Sequence, residues 1–266
     1  MIKISGWEPY LKDCLICHQK ANYFNFGQKG LLCQKHRKKD DLFLTESGLK
    51  SLQLLFNSAL KNFKTLNSLK DILKNKELKL VNYGYFGHMW ELYAMWAWIP
   101  IFLRESYVKS GVNDNSTLFF SFITFLIFLF GALTTLFGGI FADKIGKAQF
   151  NITMLSISGI CSLLIGFTFG INNTAMIVIA LVWGMSAVAD SPQYSGMATE
   201  VGDKKYMGTA VTIQLAIGFL ISIISIKLIP LVVDLVSWRY AFSLLFLGPI
   251  LGIISLSKFK FLKNNK

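Results

Sequence analysis

Six stretches of about 20 mostly apolar residues each dominate the chain from position 80 onward, the length needed to cross a bilayer. They run near Leu80–Leu103, Thr117–Ala142, Ala148–Gly170, Ala175–Thr199, Gly208–Pro230 and Trp238–Leu256. Segments of this kind satisfy their backbone polar groups internally, as helices. The expected fold class is therefore all-α and integral to a membrane: a six-transmembrane-helix bundle behind a small N-terminal metal-binding module. Only 16% of the residues are charged, against about 25% in average soluble domains. Pro100, Pro192 and Pro249 fall inside the spans, where kinks or breaks are expected. Gly166 and Gly170, and Gly248 and Gly252, are spaced for close helix packing.

The charge pattern sets an orientation. Lys144, Lys147, Lys204, Lys205, Lys258, Lys260, Lys263 and Lys266 share one side of the alternating spans. Arg104, Lys109, Lys227 and Arg239 take the other. The richer side is expected to be cytoplasmic, which places both termini there, in the plasma (inner) membrane. The net charge is +12. Residues 1–79 carry 15 Lys/Arg against 7 Asp/Glu, which fits a face beside anionic lipid. These lysines form no single dense block, so nucleic acid is not the expected partner. Residues 1–40 show no secretory signal.

Two ionisable groups interrupt the first span, "YGYFGHMWELYAMWAWIPIFL". Charge at membrane depth is costly and faces a bundle interior or a polar cavity. His88 and Glu91 are three apart and share a helical face. They are candidates for a solute or proton pathway, with Trp90 and Tyr93 supplying amphipathic rings; the alternative is a structural tie between helices. A second polar cluster, "ADSPQYS", puts Asp190 and Gln193 beside Pro192. It reads as a broken, polar helix segment suited to a solute, or as an ordinary helix end. Gln214 is a further candidate, or interhelical glue.

Gly138–Gln149, "GGIFADKIGKAQ", joins the second and third spans. It resembles the G-x-x-x-D-[RK]-x-G-[RK] loop of the major facilitator superfamily, through Gly139, Asp143, Lys144, Gly146 and Lys147. "GHMWELYAMWAW", "ADSPQYS" and "WRYAFSLLFLGPILG" are also similar to the second half of such transporters. The resemblance implies a half of the major facilitator fold, the five loop residues acting in a cytoplasmic gating loop. It implies a secondary transporter of a small solute, with or without proton coupling. The first six helices of that family are absent, so a separate N-terminal half or a homodimer is implied as partner.

In front stands "CLICHQKANYFNFGQKGLLCQKHR". Cys14, Cys17, Cys33 and His36 form C-x2-C and C-x2-H pairs, a ligand set for tetrahedral Zn2+. The reducing side expected for this segment argues against disulfides. His18 directly follows Cys17 and is not an expected ligand. Tyr23, Phe24 and Phe26 are the expected small core. Leu49, Leu52, Phe56, Leu60 and Phe63 recur at helical spacing, as in a surface-lying amphipathic helix; Ser68 and Asp71 suit a capping box.

The expected organisation is a zinc-finger-like module over 1–40, a helical linker over 41–79, a transmembrane domain over 80–257 and a basic tail over 258–266. No catalytic constellation is present in the sequence, and no enzyme is expected. The competing functions are a membrane-anchored zinc-binding interaction module and an inactive truncated or fused transporter fragment. The expected partners are a lipid membrane and a small solute, with Zn2+ in the N-terminal module and no cofactor in the helices.

Overall fold

The structure is a computed structural model of the 266-residue chain, and it describes residues 14–25, 30–36, 42–43, 74–111 and 117–265. Two units separate, Met1–Leu66 and Asn67–Lys266.

In the first unit three short strands, β1 (Tyr23–Asn25), β2 (Gly30–Leu32) and β3 (Leu42–Phe43), form an antiparallel sheet in the order β2-β1-β3. Tyr23 pairs with Leu32 on one side and with Phe43 on the other. The chain is therefore not all-α. Its small core is Cys14, Ala21, Leu31, Leu32 and Cys33, with Leu15 and Cys17 packed on it. Among the described residues, Leu31 and Leu32 of β2 supply the aliphatic part of this core. Tyr23 is half-buried; the side chains of Phe24 and Phe26 lie outside the described residues, as do the expected amphipathic helix over 49–63 and the Ser68–Asp71 cap.

The second unit is helical: α1 (Lys76–Lys109), α2 (Thr117–Ile145), α3 (Lys147–Thr168), α4 (Asn173–Ala189), α5 (Ser191–Val201), α6 (Met207–Val236), the short α7 (Trp238–Ala241), a 3-10 turn at Phe242–Phe246, and α8 (Leu247–Asn264). Asn75 caps α1: its Oδ1 accepts from the Leu78 amide at 3.0 Å, while its Nδ2 donates to the Val201 carbonyl at 2.7 Å. Among the described residues five helical stretches, not six, are long and apolar enough to cross a membrane: Thr117–Ile145, Lys147–Thr168, Asn173–Val201, Met207–Val236 and Trp238–Asn264. The stretch Leu80–Leu103 falls short because Asn82, His88, Glu91 and its many Tyr, Trp and Gly residues dilute it. Residues 258–264 continue α8.

Pro100 lies inside an unbroken α1. Pro192 and Pro249 instead sit in the first turns of α5 and α8, where a missing N–H costs nothing. Helix α1 packs against α8 through glycines: a Cβ at Gly87 would strike the Gly248 carbonyl and come within 2.9 Å of the Gly252 amide. Helices α2 and α6 leave rows of large apolar side chains exposed, among them Leu118, Phe122, Phe137, Leu220, Ile224 and Leu235.

Candidate metal centre and a buried polar cluster

Two tight turns build the metal centre. In the first, the Cys14 amide donates to the Gln19 carbonyl at 2.9 Å and the His18 amide to the Cys14 carbonyl at 3.0 Å. His18 takes a left-handed φ of 56°, which reverses the chain directly after Cys17. In the second, the His36 amide donates to the Cys33 carbonyl at 3.0 Å. The Leu15 amide ties the first turn to the Leu31 carbonyl of β2 at 2.9 Å. The sheet thus holds the two ligand pairs face to face.

The ligand atoms of Cys14, Cys17, Cys33 and His36 all lie within 4.8 Å of one another. Cys17 Sγ is 3.7 Å from Cys33 Sγ, and His36 Nδ1 is 3.6 Å from Cys14 Sγ and 3.4 Å from Cys33 Sγ. A tetrahedron with metal–sulfur bonds of about 2.3 Å and metal–nitrogen bonds of about 2.0 Å has edges of about 3.8 Å between sulfurs and about 3.5 Å from sulfur to nitrogen. The observed separations match, so these four residues can hold a metal ion. All three cysteines are free thiols. Burial raises the Cys14 thiol, but hydrogen bonds from the Cys17, Ile16 and Cys33 backbone and from His36 outweigh it and bring it to about 5. Such a thiol is readily a thiolate, the form that binds metal. Cys17 moves up instead: the Gln19 backbone hydrogen bond pulls it down, but burial and the neighbouring Cys14 and Cys33 sulfurs outweigh that bond. Exposed His18 is outside the ligand group.

The second concentration of polar groups lies among α1, α3, α4 and α5. His88 and Glu91 are both buried but make separate contacts. Glu91 engages Trp183 Nε1 at 2.7 Å through Oε1 and Ser158 Oγ at 2.8 Å through Oε2. His88 Nδ1 is 2.9 Å from Asp190 Oδ1, a close contact whose alignment falls short of a hydrogen bond. The imidazole stacks between Tyr85 and Tyr194, with centroids 5.9 and 5.4 Å away. His88 Nε2, Asp190 Oδ2, the Tyr194 hydroxyl and both side-chain polar atoms of Asn151 are buried without a hydrogen-bond partner. Asp190 sits at the break between α4 and α5, where its carbonyl accepts from the Gln193 amide at 3.0 Å.

The other candidates lie elsewhere. Gln214 is buried and donates to Asn82 Oδ1 at 2.9 Å, tying α6 to α1. Trp90 donates to the Leu244 carbonyl at 3.3 Å, and Tyr93 packs edge-on against Trp96 and beside Phe219. Sequence reasoning missed Asn151, Ser158 and Trp183, because each becomes conspicuous only once neighbouring helices bring a carboxylate or imidazole to it. Removing the Glu91 donor by Trp183→Phe should destabilise the second unit by about 1–3 kcal/mol, read as a lowered melting temperature by circular dichroism; an unchanged melt would show that the bond carries no net stability.

The loop residues do the ordinary work of a helix junction. Gly146 adopts a φ of 90° between α2 and α3, which only glycine takes without strain. A Cβ at Gly139 would meet nothing within 4 Å. Asp143 and Lys144 are exposed, and Lys147 pairs with Glu200 at 2.5 Å.

Comparison with known proteins points away from transport. Residues 1–82 match the family described as Recombination protein O C terminal. The DNA repair protein RecO of Bacillus cereus strain B4264 is 31% identical over 97 residues, 35% of this chain and 38% of that protein. Its counterparts in Bacillus anthracis strain CDC 684 and Bacillus thuringiensis subsp. konkukian are 30% identical over the same shares. The chain therefore spans under two fifths of the curated relatives it matches, and the helices from Thr117 onward lie beyond the matched family segment. These matches overturn the major facilitator assignment and the solute-transport function. They overturn the membrane-anchored interaction module and the inactive transporter fragment, and integral-membrane location with both termini cytoplasmic. The lipid, solute, separate-half and homodimer partners fall with them, and so does the exclusion of nucleic acid. A five-position loop signature whose glycine and charges serve a helix turn was too generic to carry the transporter reading. Segment 41–79 lies wholly inside the matched residues, which end two turns into α1.

Proposed function

We propose that the segment over residues 1–82 is a zinc-held module that binds DNA in a repair or recombination process and has no catalytic role of its own. The observation that carries this reading is the family match over the four metal ligands. Three thiolates and one imidazole at tetrahedral spacing favour Zn2+. The ion would fix the two ligand turns, and basic residues adjoin His36 in the sequence. Lys35, Arg37, Lys38 and Lys39 flank His36 within five positions. That short run is the signal for nucleic acid which the wider lysine distribution obscured.

A duplex or single strand is bound largely through its phosphates, and each neutralised phosphate adds to the salt dependence of affinity. The test is fluorescence anisotropy of labelled DNA with the full chain across a salt series. Changing Lys35, Arg37, Lys38 and Lys39 to glutamine together should flatten the slope of log affinity against log salt by about 3–4 on duplex DNA. Equal slopes for both proteins would remove the basic run from the interface, and no DNA binding by the unaltered chain would end the reading.

A further inference from the structure

Ten lysines gather at one end of the helical unit: Lys74, Lys76, Lys79, Lys144, Lys147, Lys204, Lys205, Lys258, Lys260 and Lys263. Four contacts hold the helix ends that carry them together. Asn75 at the start of α1 donates to the Val201 carbonyl at the end of α5, at 2.7 Å. Lys147 at the start of α3 pairs with Glu200 on α5, at 2.5 Å. Lys263 near the end of α8 is 3.8 Å from the same Glu200, and Lys260 donates to Gln149 Oε1 at 2.7 Å. The acids at this end, among the described residues, are Glu77, Asp143, Glu200 and Asp203. Ten cations against four anions leave a local surplus of six positive charges.

The opposite end differs. Its described cations are Arg104, Lys109, Lys227 and Arg239, against Glu105 and Asp234. Lys109 lies over the Phe169 ring at 5.3 Å and Arg239 over Phe167 at 6.0 Å; at the lysine-rich end Lys205 lies over Tyr206 at 5.1 Å, so the two ends differ in the number of charges rather than in aromatic contact. The lysine-rich end is the distinctive one, and nine of its ten lysines are exposed.

We propose that this end of the helical unit is a phosphate-binding surface for a DNA backbone, separate from the basic run around His36. The choice of DNA as the polyanion rests on the repair reading above. It is supported by continuity: Lys74, Lys76 and Lys79 belong both to the family-matched residues and to this end of the helices. Cations distributed over several helix ends, on flexible exposed side chains, suit contact with phosphates spaced along a backbone. The surface therefore contributes affinity and salt dependence, and no base preference.

The experiment uses the full chain in a nonionic detergent, with labelled duplex DNA of two unrelated sequences. Lys76, Lys144, Lys204 and Lys258 are changed to glutamine together, and separately to arginine. The glutamine variant should flatten the salt slope by about 3–4, equally for both sequences, and the arginine variant should keep it. A wild-type slope in the glutamine variant would overturn this surface and leave the His36 run intact as the interface. A flattened slope here, with no effect of the Lys35–Lys39 variant, would support this surface and remove the module. Loss of binding to vesicles of anionic phospholipid, with DNA binding unchanged, would assign the lysines to lipid and overturn the proposal. No DNA binding by any of the proteins would overturn both.

Discussion

Changing Cys14 and Cys33 together to serine should leave the chain without bound metal. The unaltered chain is expected to carry about one zinc, as a closed four-ligand site does, and the double variant almost none. The effect is large because each sulfur is a corner of the same tetrahedron: Cys33 Sγ lies 3.7 Å from Cys17 Sγ and 3.4 Å from His36 Nδ1. Losing two thiolates removes half the coordination sphere. Sites of this type contribute about 10–16 kcal/mol of apparent binding free energy, which far exceeds what a core of Ala21, Leu31 and Leu32 supplies. The sheet should therefore loosen when the metal leaves. Elemental analysis after exhaustive dialysis at neutral pH reads the metal, and proteolysis between residues 14 and 43 reads the sheet. Equal zinc in both proteins would refute the site.

The second large effect concerns α1 and α8. Gly87→Val should destabilise the helical unit by about 1–3 kcal/mol or more, because its new side chain would have to displace backbone. The atoms it would meet are the Gly248 carbonyl and the Gly252 amide, and neither can rotate away. For a unit of this size the melting temperature should fall by roughly 2–10 °C. Gly139→Ala on α2 is the control, since nothing lies within 4 Å of its Cβ. There the helix should gain up to about 1 kcal/mol from the better helix former. Equal melts for the two variants would mean that α1 and α8 do not pack as described.

The metal ligands were legible in the sequence because their chemistry is local: two doublets at knuckle spacing need only a hairpin to meet. The helices were legible for a similar reason, since each apolar run announces itself. Leu80–Leu103 was overcounted as a membrane-length span because the criterion of length hid its polar content. The partners of the buried groups were not legible. Glu91 meets Ser158, 67 positions away, and Trp183, 92 positions away. Spacing within one helix says nothing about such contacts; it placed His88 and Glu91 on one face, whereas three-dimensional packing sends them to different neighbours. The sheet was missed because its strands are only two or three residues long, too short for a period to show. The functional assignment failed for a different reason. Most of the residues lie in the apolar helices, while the family match lies in the basic, lysine-rich front.

Order along the chain sets a timetable for synthesis. The unit Met1–Leu66 precedes Asn67–Lys266, so a ribosome adding about 5–20 residues per second needs roughly 10–40 s to make the helical unit after the first is complete. During that interval Cys14, Cys17, Cys33 and His36 emerge from the tunnel and can capture an ion. The thiols should thus be closed around metal, and shielded from oxidation, before α6 and α8 exist. Zinc starvation during growth would then leave these thiols open to oxidation until metal is supplied.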